Sequence, residues 1–301
     1  MSSYNKIDAE AWEEKIRFFK SNFSQCKLCP RECGAQRESG VPGVCHAGKD
    51  LRIASYNIHN GEEPPISGRN GSGAVFFSGC TMKCVFCQNF PISQFNNGRN
   101  YSINELSEIF LELEKRGAHN INLVSPTPYL FHIVKALRIA SDNGLEIPVV
   151  YNSGGYEKVS IIRELNNIVD IYMPDFKYSD ADLAKRFSGV VNYPKIAFEA
   201  ISEMYRQTGS LMIDKDGIAV RGIIIRHLIL PGHILNSKNI LKKIGRSKLK
   251  DAYLSLMSQF FPAYNSTTDE YLSRKLVPEE YEDVRSYAIS EKLEKGWFQD
   301  I

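Results

Sequence analysis

The chain has 301 residues, of which 43% are hydrophobic and 24% charged, so it is long and apolar enough to bury a large core. Its formal net charge of +2 argues against a nucleic acid or an anionic membrane surface as the main partner. No apolar run approaches the roughly 20 residues of a membrane span, and residues 1–20 lack the apolar centre of a signal peptide, so we expect a cytoplasmic protein.

The first part of the chain combines a short helix with a cysteine-rich segment. Trp12, Ile16 and Phe19 recur at helical spacing, which predicts an amphipathic helix over residues 7–20. The segment 24–60 is rich in glycine and arginine and is too poor in core residues to fold without a metal. Its four thiols suit a [4Fe-4S] cluster or a structural zinc ion, and the tight spacing of the first three favours the cluster. These cysteines are Cys26, Cys29, Cys33 and Cys45.

Residues 61–68 read Gly-Glu-Glu-Pro-Pro-Ile-Ser-Gly. Consecutive prolines between glycines exclude a regular helix at this place. We interpret the segment as the connection into the main domain or as a wall of a site.

A second group of cysteines follows the apolar strand candidate 74–78 and has the spacing Cys80-x3-Cys84-x2-Cys87, with Phe86 before the last one. This loop supplies three thiolates and no fourth. A structural zinc ion normally takes four protein ligands, and a cubane cluster usually takes four cysteines. Three cysteines would leave one iron of a cubane open for a small molecule. Seven cysteines in two tight groups, without a signal peptide, favour metal ligation over disulfides.

From residue 73 onward, short apolar runs alternate with amphipathic stretches. The strand candidates are 74–78, 120–125, 147–151, 168–174, 219–230 and 252–260. The helix candidates are 102–116, 129–142, 157–166, 180–187, 194–207 and 236–246. Repeated β–α units predict an α/β fold with a parallel sheet, and periodicity alone does not separate a partial barrel from a doubly wound sheet. The tail 266–301 is predicted to be helical over 278–293, with Trp297 and Phe298 docking it.

Ligands of parallel α/β folds bind at the carboxyl ends of the strands, and polar residues stand at several of the predicted ends. The second strand ends at Ser125 and Thr127, and the third at Asn152 and Ser153 before two glycines. The fourth strand ends in Asp175-Phe176-Lys177. The fifth carries Arg226 inside an apolar run, where a buried guanidinium needs an anionic partner, and we expect its neighbour His227 to be a structural histidine on the opposite face.

The cysteine loop resembles the signature of the radical S-adenosylmethionine (radical SAM) superfamily, C-x3-C-x2-C with an aromatic residue before the third cysteine. The resemblance implies that Cys80, Cys84 and Cys87 hold a [4Fe-4S] cluster whose open iron is chelated by S-adenosylmethionine. It also implies reductive cleavage of that molecule to a 5′-deoxyadenosyl radical, which abstracts a hydrogen atom. The implied fold is a partial (β/α)6 TIM-type barrel.

Two strand ends resemble pyruvate formate-lyase activating enzymes more narrowly: the D-x-K end at Asp175 and Lys177, and the R-x-x-x-x-P-G strand that begins at Arg226. The resemblance implies that these three residues place S-adenosylmethionine. From its residues alone, the end of the third strand is either a plain strand-to-helix turn or a site where Asn152 or Ser153 hydrogen-bonds the methionine or ribose part. Two departures stand out. The segment at Ser125 lacks the Gly-Gly-Glu of many relatives, and Tyr264 stands near the place of an activase histidine.

We therefore expect an N-terminal helix and metal-binding segment over 1–68, a radical SAM core over 69–265, and a helical extension over 266–301. The hydrogen donor is a glycine Cα–H of a partner protein, as for the activases, or a small molecule or peptide. Flavodoxin or ferredoxin would supply the electron. The alternative hypothesis is a non-catalytic iron–sulfur electron carrier or scaffold. Zinc-dependent nucleic-acid binding is disfavoured because the chain lacks a strong basic excess.

Overall fold

A computed structural model describes residues 2–300, and within them ten strands belong to one sheet. The strands are β1 (Leu51–His59), β2 (Ser72–Phe77), β3 (Arg99–Tyr101), β4 (Ile121–Val124), β5 (Val149–Ser153), β6 (Ile171–Pro174), β7 (Met212–Ile213), β8 (Ala219–Leu228), β9 (Tyr253–Met257) and β10 (Gly296–Phe298).

The α-helices are α1 (Ala9–Ser24), α2 (Pro64–Ser67), α3 (Phe90–Ser93), α4 (Ile103–Lys115), α5 (Leu130–Asp142), α6 (Val159–Glu164), α7 (Ala181–Ser188), α8 (Tyr193–Thr208), α9 (Ile234–Gly245) and α10 (Pro278–Ser290). All six predicted strands and the helices predicted between them are present. The predicted start of α4 is confirmed, because the side chains of Ser102 and Glu105 each accept a hydrogen bond from the other's backbone N–H.

The strand order shows how the chain winds. Strands β2, β4, β5, β6, β8 and β9 are neighbours in that sequence and are parallel throughout. Each β–α unit therefore advances in the same direction, as in a TIM-type barrel, whereas a doubly wound sheet reverses its order. The sheet does not close on itself: β1 and β3 continue it on one side and β10 on the other. The predicted partial barrel is confirmed.

Alternation along the strands separates two apolar clusters on the two faces of the sheet. Val150, Ile171 and Ile224 belong to a small inner cluster, whereas their neighbours Tyr151 and Tyr172 belong to the large cluster that packs against the helices. The same alternation places the later residues Asn152, Asp175 and Arg226 on the inner face. The fold thus gathers polar groups from separate strands at one end of the inner face.

Short helix α2 corrects one prediction. Residues 64–67 form a helical turn although the sequence appeared to exclude one. Both prolines lie in the first turn, where no backbone N–H has an intrahelical partner, so proline is tolerated there. Ile66 is fully buried in the inner cluster, and its carbonyl accepts a hydrogen bond of 2.8 Å from Asn120 Nδ2. The turn therefore fixes the preceding residues against the inner face.

The segments before and after the predicted core of residues 69–265 each contribute a strand to the main sheet. Strand β1 pairs with β2, and β10 pairs with β9 over Gly296–Phe298, so the predicted docking of Trp297 and Phe298 takes the form of a strand. The division at residues 68 and 265 stays a prediction. No helix within residues 2–300 is both long and apolar enough to cross a membrane.

Candidate active site

A cavity of about 260 Å³ lies at the carboxyl ends of the parallel strands. All eight residues that the sequence predicts for the catalytic cluster and its cofactor line this one cavity: Cys80, Cys84, Cys87, Asn152, Ser153, Asp175, Lys177 and Arg226. They come from the cysteine loop and from the ends of β5, β6 and β8. Groups up to about half the chain apart in sequence thus meet at one place, while their individual roles stay predictions.

The cysteine loop leaves the end of β2 through Gly79, whose φ is +81°. A side chain at this position would strike the carbonyl oxygen of Cys45, so glycine brings the two cysteine segments together. Ser188 Oγ lies 3.0 Å from the sulfur of Cys84, and Ser93 Oγ lies 3.1 Å from that of Cys87. Hydroxyl groups from α3 and α7 therefore contact two of the three thiols.

Burial dominates the electrostatics of these thiols. It raises the pKa of Cys80 to about 12 and the pKa of Cys84 to about 11, against an ordinary value of about 8.5. The ammonium of Lys177 acts in the opposite direction and lowers the pKa of Cys84. Cys80 and Cys84 therefore hold their protons until a cationic metal centre replaces them, as thiolate ligation requires.

The donor set fits an iron–sulfur cluster. All three thiols are free, face the same cavity and are soft ligands of the kind that such clusters take. Within residues 2–300, no group of three or more His, Cys, Asp or Glu side chains is arranged so that it could hold a metal ion. Each cysteine of a cubane binds a different iron, so the three sulfurs do not converge on one point.

A buried ion network occupies the inner face beside the cysteines. Arg226 Nε donates to Asp175 Oδ1 at 2.9 Å, and its Nη2 donates to Asn152 Oδ1 at 2.7 Å. The second carboxylate oxygen of Asp175 pairs with the ammonium of Lys177. Burial opposes ionisation of Asp175, but the two cations outweigh it and hold its pKa below the ordinary value. The carboxylate thus remains charged and fixes both cations.

Lys177 lies between this network and the cysteine loop. Burial lowers its pKa, but the charges of Asp175 and Cys84 outweigh burial and leave the pKa above the ordinary value. The ammonium is therefore charged near neutral pH and lies next to the thiols. A charged group in this place can neutralise a bound carboxylate.

The two glycines after β5 allow close contacts. Gly155 has a φ of +75°, and a side chain there would strike the carbonyl oxygen of Asp175. A side chain at Gly154 would come within 3.0 Å of Met82 Sδ in the cysteine loop. Tyr193 Oη contacts the carbonyl oxygens of Gly154 and Asp175 at 2.9 and 2.8 Å. The glycines therefore join the ends of β5 and β6 to the cysteine loop.

The polar residues after β4 have separate environments. Ser125, with a φ of +58°, lines the cavity. Thr127 instead donates to Glu157 Oε1 at 2.6 Å in a buried network that includes the hydroxyl of Tyr151. Of these two residues, only Ser125 lines the cavity.

We expect Glu157 to make stability depend on pH. Burial raises its pKa to about 8, so the proton is bound more tightly in the folded chain, and stability falls as pH rises from about 4.5 to about 8. Replacing Glu157 by Gln removes this loss. From pH 5 to pH 8.5, the free energy of unfolding of the variant should gain on wild type by about 3 to 5 kcal/mol. Urea unfolding of both proteins across this range measures the difference, and parallel pH profiles would contradict the prediction.

Two further predictions concern aromatic and histidine side chains. His227 is fully buried on the helix-facing side, where Nδ1 lies 2.7 Å from the carbonyl oxygen of Phe176 and Nε2 lies 2.8 Å from Ser237 Oγ. The prediction of a structural histidine is confirmed. Tyr264 stacks on Phe90 at 5.2 Å between ring centroids and is not among the residues that line the cavity.

The first cysteine cluster lies against the cysteine loop. Cys26, Cys29 and Cys45 are buried, Cys33 is exposed, and all four are free. Burial raises the pKa of Cys29 to about 12 and also raises the pKa of Cys45. Charges on Cys26 and Cys45 would raise the pKa of Cys29 further, and charges on Cys26 and Cys33 that of Cys45, so the four sulfurs lie near one another.

Two basic side chains join this cluster to the loop. Arg31 Nε donates to the carbonyl oxygen of Thr81 at 2.6 Å. Lys83 is close enough to both Cys45 and Cys80 for their charges to raise its pKa, although burial lowers it more. The two cysteine groups therefore form neighbouring sites.

Sequence reasoning did not predict a second cavity, of about 330 Å³, beside the first, although one of its two interpretations of residues 61–68, as a wall of a site, agrees with it. Its wall includes Glu62, Glu63, Ser255 and Trp297, and it shares Arg226 with the first cavity. The acidic pair before two prolines was visible in the sequence, but nothing there showed that α2 would hold it against the inner face. The strand alternation around Leu254 and Leu256 would have placed Ser255 on that face.

Comparison with known proteins places the chain in a family. Residues 74–233, more than half of the chain, match the Radical SAM superfamily. The chain is 32% identical over 288 residues to "Uncharacterized protein MJ0674" of Methanocaldococcus jannaschii, covering 92% of this chain and 78% of that protein. It is 25% identical over 281 residues to "Uncharacterized protein MJ0808" of the same organism, covering 88% and 75%. The chain belongs to the radical SAM superfamily, and membership implies a [4Fe-4S] cluster and S-adenosylmethionine as cofactors.

Two solved structures are also similar. The first is "Native anSMEcpe with bound AdoMet", with a TM-score of 0.48 at 13% identity over 71% of this chain and 57% of that chain. The second is Streptococcus suis SuiB bound to precursor peptide SuiA, with a TM-score of 0.46 at 15% identity over 70% and 43%. The chain spans about half the length of these two proteins.

Proposed function

We propose that this chain is an enzyme that cleaves S-adenosylmethionine reductively at a [4Fe-4S] cluster held by Cys80, Cys84 and Cys87. The observation that carries the proposal is the single cavity that contains all three thiols and the ion network of Asp175, Lys177 and Arg226. When bound, the cluster and S-adenosylmethionine supply an electron and a carbon-centred radical that abstracts hydrogen. The protein contributes binding, orientation and exclusion of water.

The charged residues have complementary roles in this proposal. Lys177, which remains protonated beside the cysteine loop, neutralises the carboxylate of S-adenosylmethionine. The Asp175 carboxylate accepts from ribose hydroxyl groups and holds both cations in place. Asn152 and Ser153, at the end of β5, hydrogen-bond the methionine or ribose part. Buried Met82 and Phe86 line the same cavity and limit the access of water.

The finer specificity is also a proposal. The ends of β6 and β8 resemble the glycyl-radical activating enzymes, which supports a glycine Cα–H of a partner protein as the hydrogen donor. A small molecule or a peptide is the alternative donor. Flavodoxin or ferredoxin is the proposed source of the electron.

We further propose that Cys26, Cys29, Cys33 and Cys45 hold a second metal site, either a [4Fe-4S] cluster or a zinc ion. Its position against the cysteine loop, bridged by Arg31 and Lys83, supports a path for electrons if the metal is iron. Zinc has no redox chemistry, so it would make the site purely structural. The metal content of the purified protein separates the two.

Anaerobic reconstitution tests both proposals. After loading with iron and sulfide and reduction, we expect 5′-deoxyadenosine to form from S-adenosylmethionine. About eight irons per chain would indicate two cubane clusters, and about four irons with one zinc would indicate a structural first site.

An independent readout covers the case in which cleavage needs the missing substrate. Adding S-adenosylmethionine should change the electron paramagnetic resonance spectrum of the reduced cluster, because the molecule binds the open iron. A full, reduced cluster that gives neither product nor a spectral change would contradict the proposal and favour an electron carrier or scaffold.

A further inference from the structure

The second cavity, of about 330 Å³, adjoins the proposed active site. It shares Arg226, Met257 and Gln259 with the first cavity, so the two cavities meet at the carboxyl ends of β8 and β9. Its other walls are the segment 61–64 and the residues of β10 with those that follow it. A group bound here would lie directly beside the site of radical formation.

The acidic wall of this cavity is held rigidly. Asn122 Nδ2, on the inner face of β4, donates to Glu62 Oε1 at 3.0 Å. The backbone N–H of Glu62 donates to Ser67 Oγ at 3.0 Å, which ties the segment to the end of α2. Two side-chain contacts therefore fix the acidic segment before any ligand binds, as a preorganised binding site requires.

The charges around the junction of the two cavities do not balance. Three carboxylates, those of Asp175, Glu62 and Glu63, face two cations. Asp175 pairs with both cations, and Glu62 Oε2 lies 3.5 Å from Arg226 Nη1. Glu63 forms no ion pair within residues 2–300, although its charge is close enough to Arg226 to help raise the pKa of that guanidinium.

Glu63 is only 9% exposed, and its Oε2 has no hydrogen-bond partner within residues 2–300. A buried carboxylate oxygen without a hydrogen bond is costly, and the attraction of the more distant Arg226 does not supply one, so the group calls for a further cationic donor. Trp297 lines the same cavity, and an aromatic ring attracts a cation more strongly than a neutral group. Both features select for positive charge in the same space.

We propose that this second cavity binds a cationic group of the substrate, a protonated amine or a guanidinium, through Glu63 with Glu62 and Trp297. The proposal rests on the proposed function, because it takes the neighbouring cavity as the place where hydrogen is abstracted. It makes the substrate a molecule or peptide segment whose reacting carbon lies close to a basic group. S-adenosylmethionine is itself cationic, and the competing explanation is that Glu63 balances the charge of that cofactor.

The test uses the reconstituted, unreduced enzyme saturated with S-adenosylmethionine, so that no turnover occurs. Three probes of similar size are titrated by calorimetry: Nα-acetyl-lysine amide, Nα-acetyl-arginine amide and the neutral Nα-acetyl-norleucine amide. We expect at least one cationic probe to bind about 10-fold or more tightly than the neutral one, because a hydrogen-bonded charge pair contributes at least this factor. Glu63→Gln should remove this preference and leave the binding of norleucine amide unchanged.

Matched variants keep the result interpretable. Glu282→Gln removes an exposed acid on α10 and should bind all three probes as wild type does. If Glu63→Gln does not fold, Trp297→Leu tests the other wall and should weaken the cationic probe several-fold. Equal binding of the three probes, or a preference that survives Glu63→Gln, would overturn the proposal.

Two measurements separate this proposal from the competing explanation for Glu63 and from the proposed function. If Glu63→Gln weakens S-adenosylmethionine binding about 10-fold and leaves the probe preference intact, the carboxylate serves the cofactor and the proposal is wrong. The cleavage assay on the same preparation tests the proposed function separately. A cation preference in an enzyme whose full, reduced cluster neither cleaves S-adenosylmethionine nor changes its spectrum on adding it would contradict the proposed function and leave the cation site standing.

Discussion

Replacing Cys84 by Ala is expected to abolish formation of 5′-deoxyadenosine. Cys84 is buried, lines the cavity with Cys80 and Cys87, and has its sulfur 3.0 Å from Ser188 Oγ. Removing one of three thiolates leaves a cluster with two protein ligands, which holds neither its iron nor S-adenosylmethionine in place. The measurement is the yield of 5′-deoxyadenosine after anaerobic reconstitution, together with iron per chain. The iron content should fall by the amount of one cluster.

The matched control is Cys33→Ala in the first cysteine cluster. Cys33 is exposed and does not line the cavity, so the three thiols at residues 80, 84 and 87 remain complete. We expect this variant to keep an S-adenosylmethionine-dependent change in the spectrum of the chemically reduced cluster. Cleavage by the Cys84→Ala protein at the wild-type rate would refute the assignment of the catalytic cluster.

Replacing Asp175 by Asn should lower the free energy of unfolding by about 3–5 kcal/mol, the cost of breaking a buried ion pair from one side. The side chains of Asp175, Lys177 and Arg226 are between 13% and 17% exposed, so solvent screens their charges poorly. Without Asp175, Lys177 loses its partner and Arg226 keeps only the 3.5 Å contact with Glu62. Asparagine has nearly the same shape and cannot supply the charge. Urea denaturation at neutral pH, with cluster loading held constant, measures the loss.

The pH dependence gives a second signature of the same pair. Since the folded-state pKa of Asp175 is below its ordinary value of about 3.9, its contribution is present above that pH and is lost as pH falls through the folded-state pKa. The gap between wild type and Asp175→Asn should therefore shrink in acid. Asp283→Asn, which breaks an exposed pair with Lys238, should cost less than about 1 kcal/mol. Equal costs for the two variants would show that the buried network does not stabilise the fold.

Much of the sheet could be predicted because its strands are apolar on both faces and are separated by amphipathic helices. The strand order and the partial barrel followed from resemblance, not from periodicity. Strands β1, β3, β7 and β10 were not predicted. Strands β1 and β3 mix polar and apolar residues, and β7 and β10 are only two and three residues long. The prediction that residues 64–67 exclude a helix was wrong, because the prolines were judged as helix breakers without regard to their place in the first turn.

The candidate site was likewise predicted only in part from the sequence. Cysteine spacing and the ends of β5, β6 and β8 led to eight residues that share one cavity. Glu63 was not predicted as a site residue, because its importance comes from burial without a partner, and burial in a loop cannot be read from one sequence. The sequence also did not show that Ser125 lines the cavity while Thr127 does not. This difference depends on the left-handed backbone of Ser125 and on the bond of Thr127 to the distant acid Glu157.

The two outer strands of the sheet, β3 and β10, are each only three residues long. An edge strand this short offers few free backbone groups to another chain, which protects an open sheet from edge-to-edge association. The same shortness limits capture of an extended peptide by strand addition, a mode that draws its affinity from main-chain hydrogen bonds. A polypeptide substrate would therefore be selected by side chains that enter the cavities, and its sequence, more than its backbone, would decide whether it reacts.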